Sequence, residues 1–137
     1  SLVDQPAHLI DLMATAVDVS GATYPQTVDG HANQPMEGIS LTPALAGRSL
    51  QRDTPLFFEH IGHRAVREPR WKLVCRGPYA PWELYDMQAD RTELHDRATE
   101  QPERVRQMVA AWDRWANRVR AKPWPHTPPR NPRQKKN

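Results

Sequence analysis

Alternation of apolar and polar residues is concentrated between Pro55 and Met87, in PLFFEHIGHRAVREPRWKLVCRGPYAPWELYDM, where short aromatic, β-branched and charged runs are bounded by Gly and Pro. These runs predict four strands, over 56–60, 63–67, 70–76 and 81–87. Ile61-Gly62 suits a tight hairpin turn and Glu68-Pro69 a second, and connections this short imply antiparallel neighbours. In the third run Trp71, Leu73 and Cys75 share one face while Lys72, Val74 and Arg76 share the other. In the fourth, Trp82, Leu84 and Asp86 oppose Glu83, Tyr85 and Met87. Each strand thus has an inward row led by a tryptophan and a leucine, and a sheet of this kind needs a helix to cover it.

That helix is predicted over 102–120. Val105, Met108, Val109, Trp112, Trp115, Ala116 and Val119 recur at three and four, with Arg, Gln, Asp and Asn on the opposite side. Pro102 suits a first helical position, and Thr99, Glu100 and Glu103 supply cap and dipole complement. Upstream, 4–20 predicts another helix, with Pro6 in the first turn and Gly21 as its stop. Leu9, Ile10, Met13, Ala16 and Val17 form its expected core stripe, and Leu12 and Val19 widen it, so that the helix is expected to be covered on more than one side by a neighbour missing from this sequence. His8 and Asp11, three apart, can meet at the start of this helix, most simply through a helix-end hydrogen bond. Between the helix and the sheet, 22–47 has no sustained period and three prolines. It is expected as a long loop that lays Ile39, Leu41 and Leu45 on the core, with a helical turn near 43–46. The fold class is therefore α+β, a small four-stranded antiparallel sheet packed by a C-terminal helix and preceded by a helix and a long loop.

Composition adds little to this until charge is placed along the chain. The net charge of +3 comes from the end: residues 122–137 hold five of the 19 Lys and Arg, five of the 14 prolines and none of the 16 acids. The body is mildly acidic and offers no basic face with interleaved aromatics, so no nucleic-acid partner is expected. The tail is expected to be extended or disordered, with Trp124 against a neighbouring surface. No apolar run approaches the ~20 residues of a membrane span, and the first residues lack the basic start and apolar core of a signal peptide. Cys75 is the single cysteine and is expected as a buried thiol.

One place gathers chemistry. Glu59-His60-Ile61-Gly62-His63-Arg64 puts a carboxylate, two imidazoles and a guanidinium around a hairpin tip. Three readings are open. In the first, Glu59 pairs with Arg64 or Lys72 and the histidines are polar turn residues; in the second, His60 and His63 bind a metal, for which two ligands on a turn fall short. In the third, the tip contacts a substrate or anion at a site completed by another segment. Glu59, His60, His63 and Arg64 are accordingly the substrate-pocket candidates, with no catalytic residue and no metal ligand assigned.

The segments HLIDLMATAVDVSGATYP, PMEGISLTPALAG, PLFFEHIGHRAVREPRWKLV and PWELYDMQADRTELHDRATEQPERVRQMVAAWDRWANR follow one another in an order that resembles the C-terminal part of bacterial arylsulfatases, over roughly residues 3–121. The resemblance implies that 1–50 is the end of an alkaline-phosphatase-like α/β catalytic domain. It likewise makes 51–121 the C-terminal sulfatase subdomain and leaves 122–137 as a Pro-rich basic tail. It implies hydrolysis of sulfate esters by a parent enzyme with a formylglycine, made from Cys or Ser in C/S-x-P-x-R, and a calcium ion held by Asp and Asn. Neither motif is found here: Cys75 stands in VCRGPY, without the Pro and Arg spacing. Ala14, His63 and Pro69 stand where relatives commonly show Pro, Asn and Gly. Only the second of these touches the hairpin tip, and it leaves the substrate class open. The resemblance implies a sulfate-ester substrate reached through the catalytic domain, a periplasmic or extracellular location, and a supporting role with no turnover by this chain alone. The alternative is a stand-alone binding or scaffold module that uses its basic tail.

Overall fold

The computed structural model describes residues 3–124, which divide into two units, one ending at Pro55 and the other beginning at Leu56. In the first, helix α1 spans Ile10–Ser20 and is stopped by Gly21, whose φ of 66° is left-handed. It starts six residues later than the expected 4–20. The Asp11 carboxylate accepts the His8 N–H at 2.8 Å and His8 Nδ1 accepts the Ile10 N–H at 3.2 Å, an arrangement that shapes a turn before the first helical residue. His8 and Asp11 do meet at a helix end, through backbone rather than imidazole.

The face of α1 that this unit covers is not the expected one. Asp11 and Ala14 are its buried residues, whereas Leu9 is 75% exposed, Leu12 and Met13 58% and Val19 70%. The reason is hydrogen bonding. Asp11, Thr15 and Asp18 recur at four and three along one stripe, and the segment 39–42, which leads into the next helix, needs partners for its polar groups. Ile39 N–H donates to Asp11 Oδ1 (3.0 Å), Leu41 N–H to Thr15 Oγ1 (2.9 Å), and the Ser40 and Thr42 hydroxyls to Asp18 Oδ2 (2.5 and 2.6 Å). Gly38 permits this approach, since a Cβ there would meet the Ile10 carbonyl and the Asp11 Cα. Arg52 Nη2 closes the stripe with a 2.5 Å ion pair to Asp11.

The expected long loop contains structure. Strands β1 (Thr27–Val28) and β2 (His31–Ala32) pair antiparallel around Asp29-Gly30, both at positive φ (50° and 78°). The short helix α2 occupies Thr42–Leu45, close to the expected turn. Leu45, expected on the core, is exposed, whereas Ile39 and Leu41 are half-buried.

The second unit follows the sequence reading closely. Strands β3 (Leu56–His60), β4 (His63–Arg67), β5 (Trp71–Cys75) and β6 (Trp82–Asp86) form an antiparallel meander in chain order. Helix α3 (Pro102–Val119) covers one face and ends on Arg120 in the left-handed region. No side chain caps its start at Gln101, and Val119, expected on the apolar stripe, is largely exposed. Val66, Leu73, Leu84 and Met108 form the buried core, with Phe57, Trp71, Trp82, Val105, Val109 and Trp112 packed around them. Phe57 stacks on Trp115 with ring centroids 5.4 Å apart. No helix among the described residues is long and apolar enough to cross a membrane.

Between β6 and α3 the chain is held by three aspartates. Asp86 accepts the N–H groups of Gln88 and Ala89 and two bonds from Arg70, and Asp90 accepts those of Leu94 and His95. Asp96 Oδ1 accepts the Leu84 N–H at 2.9 Å while Leu84 O accepts the Arg97 N–H at 2.7 Å, so this connection occupies the free edge of β6.

Candidate functional site

The β3–β4 turn is made by two residues at positive φ, Ile61 (53°) and Gly62 (79°), the geometry that matches strand twist in a two-residue hairpin. Glycine adopts it freely; a β-branched isoleucine does not, at a cost of about 1–2 kcal/mol. Glu59 Oε1 accepts the Gly62 N–H at 3.0 Å and so braces the turn from inside. Gly62 has little space around it, because a Cβ would lie 3.0 Å from Pro78 Cδ and 3.2 Å from Trp124 Cβ.

The register pairs Glu59 with Arg64 and His60 with His63. Side chains of adjacent strand residues point to opposite faces, so the four candidates separate into two pairs. Glu59 and Arg64 face α3 and line a half-open cavity, whereas His60 and His63 are exposed on the other face of the sheet. Within the cavity Arg64 is fixed: its guanidinium carbon lies 4.8 Å from the Trp82 ring and 5.3 Å from the Trp112 ring. Its Nη2 donates to Cys75 Sγ at 2.9 Å. Its Nε is buried without a partner. Lys72, the other partner expected for Glu59, bonds to Glu93 at 2.5 Å.

The cavity has a volume of about 430 Å³. One wall is the hairpin tip; another is the last turns of α3, with Trp112, Asp113 and Asn117. The third is the segment 121–124, which carries Lys122 and Trp124. Left-handed Arg120 turns the chain after α3, and Ala121 N–H donates to Ala116 O at 2.9 Å, which sets the direction of that third wall. Sequence reading gave no part in a site to Asp113, Asn117 or Lys122, since residues 54 or more positions beyond Glu59 carry no local motif that ties them to it. It did place Trp124 on a neighbouring surface, and the Trp124 Cβ lies beside Gly62; the extended or disordered tail expected from Pro125 on lies outside the described residues.

Cys75 is fully buried, and its one S–H has Gly77 O (3.0 Å) and Ala80 O (3.2 Å) within reach as acceptors, as suits a structural thiol. Among the described residues no three His, Cys, Asp or Glu side chains converge as metal ligands, and Asp86, Asp90 and Asp96 are spent on backbone amides. The described residues therefore do not fit the calcium or the formylglycine that the resemblance implies for a parent enzyme.

An antiparallel meander covered by one C-terminal helix defines a small α+β module, and its relatives are specific. No family model matches the chain. An uncharacterized sulfatase of Schizosaccharomyces pombe is 24% identical over 119 residues, 80% of this chain and 21% of its own. The structure of Ps i-CgsB superposes with a TM-score of 0.66 at 24% identity, over 82% of this chain and 24% of that one. A 2-O GAG sulfatase gives 0.58 at 25% identity, over 81% and 25%. The chain thus spans about a quarter or less of the length of these relatives, and its sequence and fold correspond to the C-terminal part of a sulfatase.

Proposed function

We propose that this chain is the C-terminal module of a sulfate-ester hydrolase, which supports the catalytic domain and brings the β3–β4 tip to the rim of the substrate pocket. The observation that carries the reading is the match of about four-fifths of the chain, in sequence and in fold, to proteins named as sulfatases. The tip supports the second half of the reading: it is braced from inside by Glu59, holds Ile61 in a strained conformation, and presents His60 and His63 outward. Strain of this kind gathers where a loop must hold one shape for a ligand. With one 2-O GAG sulfatase among the relatives, a sulfated saccharide is the substrate class in best accord with the match.

Two measurements test this. DNA upstream of the Ser1 codon is expected to continue in frame and to encode C/S-x-P-x-R. The 137-residue chain, purified alone, is expected to release no sulfate from an aryl sulfate with or without calcium, whereas the longer product does. Calcium-dependent turnover by the isolated chain would overturn the supporting role. In the longer product, His60→Ala and His63→Ala are expected to raise KM more than they lower kcat, the signature of lost binding rather than lost chemistry. Unchanged KM in both would remove the tip from the pocket.

A further inference from the structure

The cavity behind the hairpin tip has features that neither the fold nor the hydrolase reading uses. Four of the five tryptophans are consumed by packing: Trp71, Trp82 and Trp112 surround the core, and Trp115 stacks on Phe57. Trp124 is the exception. It is 45% exposed, stands beside Gly62 and forms a cavity wall, leaving indole surface open to the cavity and to solvent. An exposed indole at the mouth of a pocket is a flat apolar platform with a polar edge.

The polar groups around it set the class of ligand. The cavity holds two carboxylates, Glu59 and Asp113, and two cations, Arg64 and Lys122, so its formal charges cancel. Arg64 is already committed between two indoles and the Cys75 sulfur. A free anion would meet the two carboxylates, and a free cation the Lys122 ammonium together with the fixed Arg64 guanidinium, which keeps its charge. Neither is favoured. Glu59 spends one oxygen on the Gly62 N–H and keeps the other, Asp113 and Asn117 are exposed on α3, and an amide offers a donor and an acceptor together. Acceptors, donors and one apolar plane, with no net charge, suit a ligand that has hydroxyls around its rim and C–H groups on its faces. A volume of about 430 Å³ lies within the range of small-ligand pockets, roughly 300–1,000 Å³.

We propose that this cavity, between the β3–β4 tip, the end of α3 and the segment 121–124, is a binding site for an uncharged saccharide ring stacked on Trp124. Glu59, Asp113 and Asn117 hydrogen-bond its hydroxyls. The site binds and performs no bond chemistry. It does not depend on the hydrolase reading, because the ligand it takes carries no sulfate.

The test uses the full 137-residue chain, labelled with nitrogen-15, and follows the five indole N–H signals as unsulfated sugars are added: glucose, galactose, N-acetylglucosamine, lactose and cellobiose. At least one is expected to shift Trp124 saturably with a Kd in the millimolar range, about −4 kcal/mol, while Trp71 and Trp115 stay in place. Trp124→Ala is expected to weaken that binding tenfold or more, about 1.4 kcal/mol, and Asp113→Ala with Asn117→Ala to weaken it without moving the signals of Trp71 and Trp115. Absence of any saturable shift at Trp124, or binding that survives Trp124→Ala, would overturn the proposal. So would binding of a flat aromatic probe such as benzyl alcohol with all sugars silent. Failure here leaves the sulfate-release measurements untouched, and failure there leaves this one standing.

Discussion

Removing the Asp11 carboxylate tests whether α1 is held by its polar stripe. Asp11 is fully buried and accepts from His8 N–H (2.8 Å), Ile39 N–H (3.0 Å) and Arg52 Nη2 (2.5 Å), while the Arg52 side chain is only 7% exposed and its Nε is already without a partner. Asp11→Ala therefore strands a buried guanidinium and two backbone donors. Breaking a buried pair from one side costs about 3–5 kcal/mol. The N–H losses overlap with that figure rather than adding to it in full, because all three bonds share one carboxylate. Arg52→Met combined with Asp11→Ala removes the stranded charge, so the double variant is expected to recover part of the loss. Hydrogen exchange of the α1 amides from Ala14 to Asp18 reads opening of this unit. Fluorescence is a control, since all five tryptophans lie beyond Pro55 and report the other unit. Burial pushes the Asp11 pKa up, but the bonds from Arg52, Ile39 and His8 together with the Arg52 charge outweigh it and hold the carboxyl below its usual 3.8. A depressed folded-state pKa contributes stability above the unfolded value and loses it as pH falls through the folded one, so protection of α1 should decline below about pH 4. A loss under ~1 kcal/mol in the single variant, against the 3–5 expected of a broken buried pair, would refute the reasoning. A double variant no better than the single would do the same.

Three further outcomes are expected. Ile61→Asn relieves a β-branched residue at φ 53° and should raise the unfolding free energy, measured in urea by tryptophan fluorescence, by about 1 kcal/mol; a lower value would refute the strain at this position. Met108→Ala opens a hole beneath Val66, Leu73 and Leu84 and should cost about 2–5 kcal/mol by the same assay, with a loss below 1 counting against that core. The Arg70 hydrogen bond, helped by the Gln88 and Ala89 amides and opposed by burial, holds the Asp86 carboxyl below its usual range, so Arg70→Met should move its NMR titration upward, and no movement would deny the pairing.

The sheet unit was legible because each strand carries a local record of its partner. Trp71, Leu73 and Cys75 alternate with Lys72 and Val74, and Trp82 with Glu83, so face and register follow from period and turn length. Helix α3 was legible for the same reason. In α1 the apolar arc was read as wide enough to need a neighbour outside this sequence, and it is indeed uncovered in this unit; the side that the unit does cover, where Asp11, Thr15 and Asp18 satisfy the polar groups of 39–42, left no mark in the apolar period. Periodicity records apolar demand and says nothing of hydrogen-bond demand from a segment some 20 residues away. The β1–β2 hairpin was missed although Asp29-Gly30 is among the strongest short turn signals; two-residue strands leave no alternation beside it. At the candidate site, sequence proximity grouped Glu59, His60, His63 and Arg64, and the pleat divided them between two faces. The cavity needed α3 and Trp124, which meet the hairpin only after folding.

The outer margin of β6 bears on how copies of this protein meet one another. A free strand edge is a template for pairing with any other extended chain. At β6 a rung of that template is occupied by the Asp96 carboxylate and the Arg97 amide. That carboxylate works as a stopper, so Asp96→Ala would do more than weaken a fold. It would uncover a sticky border, and the cost would appear in concentration-dependent aggregation before it appeared in the unfolding curve.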